Sequence, residues 1–136
     1  MEFNFEKLDV YKKSNDFVSE IYLLTKNYPK EEMFGLTSQL RRAAVSISLN
    51  IAEGSARTKK DFSRFVDMAR GSILECVTIL QISLKQNYIN ETKFNDFKNK
   101  LIEISKMLSG LKRSLTTNSE LRTPNYELRT KIGGEL

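Results

Sequence analysis

Apolar residues recur every three or four positions through most of this chain, the period of a helix that buries one face. In a first segment, about Lys7 to Asn27, the stripe is Val10, Ser14, Phe17, Ile21 and Leu24, and it reaches Tyr28. "YPKEE" then ends it, because proline lacks the backbone donor and restrains the residue before it. A second segment covers about Leu36 to Ser55. A third covers about Lys59 to Asn87, with Phe62, Val66, Ala69, Ile73, Cys76, Leu80 and Leu84 on one side. The fourth follows Asn90. Its stripe is Phe94, Phe97, Leu101, Ile104, Leu108, Leu111 and Leu115, an unbroken three-four alternation. Thr58, three residues before Asp61, and Asn90 have the chemistry of helix N-caps.

The connections Gly54–Thr58 and Asn87–Asn90 are short enough to force successive helices to run antiparallel. Strand patterns are absent. The pattern therefore predicts an all-α fold, an up-down-up-down antiparallel four-helix bundle over residues 1–115. Beyond Leu115 the stripe stops, and Glu120-Leu121-Arg122-Thr123 recurs as Glu127-Leu128-Arg129-Thr130. Two such units cannot build a solenoid, and Pro124 lies between them. Residues 116–136 are expected to be a poorly ordered tail.

The second segment carries more apolar surface than a bundle helix needs. Leu36, Leu40, Ala43, Ala44, Ile47 and Ile51 share one face, whereas Val45, Leu49 and Ala52 form a strip roughly opposite. The third segment repeats this weakly, with Met68, Ile79 and Ile82 off its main stripe. Two neighbouring helices with secondary strips point to self-association. Arg42, beside Val45 and Leu49, has the place of an interface rim or an intersubunit ion-pair donor. Oligomer-interface candidates are therefore Arg42, Val45, Leu49 and Ala52.

Composition narrows the chemistry. The 136 residues suit one small domain, and 40% hydrophobic with 29% charged residues are the proportions of a globular protein. No apolar run approaches the roughly 18 residues of a membrane span, so no membrane partner is expected. "MEFNFEKLDVYKK" lacks a signal-peptide apolar core, and one cysteine excludes an internal disulfide; both lead to a cytoplasmic expectation. Histidine is absent altogether. That removes the commonest general base and metal ligand, every imidazole triad, and di-iron sites of the Glu-x-x-His kind. No enzyme activity, metal or cofactor is expected.

Charge is unevenly spread. Residues 1–36 hold 5 basic and 7 acidic side chains, residues 37–115 hold 14 and 7, and the last 21 residues hold 3 and 3. The excess therefore sits in the middle and later helices, where an acidic partner would meet it. Arg57, Lys59, Lys60 and Arg64 gather at the start of the third helix, whose free N–H groups favour anions. They are nucleic-acid-binding candidates, or solvated charge on a turn. Arg41 and Arg42 fit an interface or a phosphate, with the interface favoured. Gly71 is read as a close helix approach, Cys76 as a small buried hydrophobe, and the pairs Asn50/Glu53 and Ser72/Glu75 as a network fixing helix register.

The string "FGLTSQLRRAAVSISLNIAEGSAR", followed by "DFSRFVDMARGSILE", resembles the bacterial four-helix-bundle family named for 23S rRNA intervening sequences, in which some members are encoded. "LDVYKKS" and "YPKEE" fit the same family, and the resemblance covers about residues 5–115. Asn50, Glu53, Gly54, Gly71, Ser72 and Glu75 match its pattern; Ser48 departs from it, where proline is common and would bend the helix. The resemblance implies a homo-oligomeric bundle, typically a pentamer, of no settled activity. A related protein is the accessory variability determinant of diversity-generating retroelements, a basic pentameric bundle that works with a reverse transcriptase and nucleic acid.

Two function classes follow. One is a non-enzymatic oligomeric adaptor whose basic surface binds RNA, DNA or a nucleic-acid-processing protein. The other is an oligomer that binds protein only, its charge serving solubility.

Overall fold

The stripes fold as four α-helices in the computed structural model, which describes residues 1–116: α1 (Asp9–Thr25), α2 (Leu36–Ser55), α3 (Lys59–Lys85) and α4 (Glu91–Leu115). No strand occurs among the described residues. Each helix packs against its chain neighbour, and α4 returns beside α1, which closes an up-down-up-down bundle. The tail expected to be poorly ordered lies, from residue 117 onward, outside the described residues.

The core is made of the predicted stripes. Phe17, Ile21, Leu40, Ile47, Ile51, Ile73, Leu80, Leu101, Ile104 and Leu108 are fully buried, as is Cys76. Three buried hydroxyls are tolerated because they bond back along their own helix. Ser14 Oγ donates to the Val10 carbonyl at 2.7 Å, Thr25 Oγ1 to Ile21 at 2.7 Å and Ser83 Oγ to Ile79 at 2.8 Å.

Both predicted caps are made. Thr58 Oγ1 accepts from the Asp61 N–H at 3.2 Å, and Asn90 Oδ1 accepts from the Lys93 N–H at 2.8 Å. α3 ends at Lys85, two residues short of the predicted end at about Asn87, because Asn87 adopts φ 62°. That left-handed residue lets the Tyr88 N–H reach the Ser83 carbonyl at 2.9 Å, a six-to-one closure of the helix end.

Two 3₁₀ turns, Asn4–Lys7 and Lys30–Glu32, were invisible to periodicity. The second carries the carboxylate that ties one end of the bundle together. Glu32 Oε1 accepts from the Leu36 N–H, the first residue of α2, at 3.0 Å, and Oε2 accepts from Tyr88 Oη at 2.8 Å. One side chain thus joins the α1–α2 connection to the α3–α4 connection. The Leu36 N–H first, and then the Tyr88 hydroxyl, hold the Glu32 carboxyl below its ordinary range.

The glycines separate sharply. A Cβ on Gly54 would lie 2.7 Å from both Phe62 Cδ1 and Phe65 Cβ, so Gly54 sets how closely the end of α2 meets the start of α3. A Cβ on Gly71 would meet nothing within 4 Å. Gly71 is therefore not a close approach between helices of this chain. It sits on the exposed side of α3, where the chain itself supplies no neighbour.

Candidate functional site

The close contact at Gly54 turns the chain sharply through Ala56–Thr58 and brings the four predicted bases to one corner. Arg57, Lys59, Lys60 and Arg64 are all exposed. The Arg57 guanidinium stands 5.2 Å from the centroid of the Phe65 ring, which steadies it. Arg64 Nε lies 3.6 Å from Asp61 Oδ1, a solvated pair that contributes little. Lys59 and Lys60 occupy the first turn of α3. The helix dipole disfavours cations there by roughly 0.3–1 kcal/mol.

The second apolar strip of α2 is only partly open. Val45 and Ala52 are half-buried and border a shallow groove against α1, with Tyr11, Asn15, Val18 and Ser48. Leu49 is 60% exposed. On α3, Met68 is 54% exposed and Ile82 is exposed, while Ile79 is buried. Ser48, the departure from the family pattern, is buried with its hydroxyl lacking a hydrogen-bond partner, and α2 runs unbroken through it.

The adjacent arginines part ways. Arg41 Nε donates to Thr25 Oγ1 at 2.9 Å and its guanidinium lies 4.4 Å above the Tyr22 ring, so it clamps α2 to the end of α1. Arg42 is exposed and borders a shallow α2–α3 depression with Gln39, Ser46 and Glu75. The polar network forms with different members from those expected. Asn50 Nδ2 donates to the Ser46 carbonyl at 2.8 Å and to Ser46 Oγ at 3.1 Å, and Ser72 Oγ reaches Ser46 Oγ at 2.9 Å across the helix pair. Glu53 and Glu75 are exposed rather than drawn into an acid site. Burial pushes the Cys76 thiol up to about 12, which leaves it without thiolate character.

Sequence reasoning missed how α4 sorts its charges. Glu103 accepts from Lys13 at 2.7 Å, and Lys100 bridges Glu20 and Asp96, the latter at 3.2 Å. Those acids are therefore spent on the α1 side. Lys112 reaches the other way, to both carboxylate oxygens of Asp67 on α3, at 2.8 and 2.9 Å. The signal was present in the spacing: Asp96, Lys100, Glu103 and Met107 form one stripe, and Lys98, Ile102, Lys106 and Arg113 another.

Among the described residues, no group of three or more His, Cys, Asp or Glu could hold a metal ion, and no helix is long and apolar enough to cross a membrane. The arrangement offers exposed charge beside partly exposed apolar strips.

The sequence model of the 23S rRNA-intervening sequence protein family matches residues 6–110, a span holding all four helices save the last turn of α4. This chain belongs to that family. A solved structure from Bacteroides thetaiotaomicron, described as a protein of unknown function from the S23 ribosomal protein family, superposes with a TM-score of 0.70 at 26% identity. The match covers 76% of this chain and 97% of that one. No curated protein matches significantly. The intervening-sequence family thus supplies the bundle, and function must be argued from the surface.

Proposed function

We propose that this intervening-sequence family member is a non-enzymatic, cytoplasmic, homo-oligomeric adaptor that binds nucleic-acid backbone through its basic surface. The observation that carries this is the corner Arg57, Lys59, Lys60 and Arg64, four exposed bases of which two sit where the helix dipole opposes them. Phosphate would relieve that opposition. The resemblance to the basic accessory protein of diversity-generating retroelements points the same way, and a pentamer is the assembly it leads us to expect. Leu49 and Met68, open on neighbouring helices, support the outer side of α2 and α3 as the self-association face.

Repeating the corner on each subunit adds weak contacts into useful avidity. Affinity for duplex or single-stranded probes should fall linearly with salt on a log–log plot, and replacing Arg57, Lys59 and Lys60 by glutamine should flatten the slope. Wild-type protein that binds neither probe at about 50 mM salt sinks the proposal and leaves a protein-only scaffold. For assembly, Val45→Glu with Leu49→Glu should reduce the mass seen by light scattering while helicity persists. A wild-type monomer throughout the micromolar range rejects that part.

A further inference from the structure

We propose that the main polyanion surface is the outer flank of α3 and α4, a straight basic track along α4 from Lys98 to Arg113, and that its partner is the backbone of a nucleic-acid duplex. This rests on the nucleic-acid reading above; it extends the contact from the α2–α3 corner onto a longer neighbouring surface, and it names one form of ligand.

The acids of α4 turn away from this flank. The helix carries six bases and three acids. Asp96 and Glu103 are held on the α1 side, in ion pairs with Lys100 and Lys13. Glu91 lies in the first turn, at the far end. The remaining flank keeps Lys98, Lys106, Lys112 and Arg113, and the bond from Lys112 to Asp67 shows that this flank faces α3. That same bond occupies the carboxylate that α3 offers nearby.

The other flanks do not compete. The α1–α4 groove balances Asp9, Asp16, Glu20 and Glu103 against Lys12, Lys13 and Lys100. The α1–α2 groove has no charged lining, and the α2–α3 depression sets Arg42 against Glu75.

Geometry favours a duplex. Lys98, Ile102, Lys106 and Arg113 follow one another at helical spacings of four, four and seven, so they share a stripe. Fifteen residues at about 1.5 Å each make the track about 22 Å long. Over that length a duplex presents about thirteen phosphate charges, roughly one every 1.7 Å, so each base of the rigid row has several within reach. A single strand would want aromatic platforms. Among the described residues the exposed large aromatics are Phe3, Tyr22 and Phe34, on α1 and its flanking segments; this flank shows Leu74 and Ile102 instead. Antiparallel packing also sets the end of α4 beside the start of α3, so the track runs toward the Lys59–Lys60 corner.

The test uses the full chain and a fluorescent 20-base-pair duplex, with anisotropy followed from about 50 to 200 mM salt. Lys98→Gln with Lys106→Gln should reduce the log–log salt slope by about two contacts and weaken binding, with the circular-dichroism melt unchanged. Lys12→Gln with Lys93→Gln removes equal charge from the α1–α4 side and should leave the slope alone. Equal flattening by both pairs overturns the track, because net charge alone would then be read. An unchanged slope in the Lys98/Lys106 variant, with flattening in the Arg57/Lys59/Lys60 variant, also overturns it while the nucleic-acid reading stands. Tighter binding of a single-stranded 20-mer overturns the duplex assignment. Failure of the wild type to bind any probe removes the parent reading itself.

Discussion

Replacing Gly54 by alanine places a Cβ 2.7 Å from Phe62 Cδ1 and 2.7 Å from Phe65 Cβ. The Phe62 ring can swing aside; Phe65 Cβ is fixed to the backbone, so relief requires α2 and α3 to separate. Overpacking of this kind costs about 1–3 kcal/mol. Alanine recovers about 1 kcal/mol of helix propensity, and Gly54 has no positive φ whose strain would add to the loss. The net effect is a destabilisation of roughly 0–2 kcal/mol, centred near 1 kcal/mol, or a fall of about 4 °C in melting temperature for a domain of this size. Gly71→Ala meets open space, so it should raise the melting temperature by about 4 °C through propensity alone. Thermal denaturation followed at 222 nm, at one protein concentration, checks both signs together. A Gly54→Ala protein more stable than wild type would show that the corner is looser than described. A Gly71→Ala protein that melts lower would place Gly71 inside the subunit contact proposed for the outer side of α2 and α3.

Two further outcomes are expected. Glu32 has a lowered folded-state pKa, so its contribution is present above the ordinary carboxylate range and is lost as pH falls through the lowered value. Glu32→Gln should therefore melt below wild type at pH 7, with the gap narrowing as pH falls through and below the ordinary carboxylate range; a constant gap across pH would show that charge plays no part. Cys76, buried and with its thiol pushed up to about 12, should resist iodoacetamide in the native state and react once unfolded. Rapid native labelling would mean that α3 opens to solvent.

Much of the fold lay open in the sequence because it depends on local regularities. Stripes, caps and the proline break act within a few residues of one another, and Thr58 and Asn90 do what their chemistry suggests. Periodicity names a buried face without naming the neighbour, and there the reading ran out. Lys13 and Glu103 stand 90 positions apart, and Tyr88 and Glu32 stand 56 apart. Such pairs exist only once the helices have docked. The same limit misread Gly71, since close packing and open surface look alike in one dimension. It also hid the sorting of charge on α4, because which stripe meets α1 depends on the assembled bundle. The four bases of the α2–α3 corner were legible for the opposite reason: they lie within eight residues, across one short connection.

The Glu32 bridge makes the two ends of the bundle unequal. At its end, two inter-helix connections are laced by one carboxylate. At the other, a single connection shares the space with the N-terminal segment and the last turn of α4. Local opening therefore has an easy direction. Amide hydrogen exchange should run as a gradient along the bundle axis, with protection highest around Leu36 and Tyr88 and lowest toward Asp9 and Leu115. The basic corner lies at the end without the bridge, so the backbone expected to open first is the one that carries Arg57, Lys59 and Lys60.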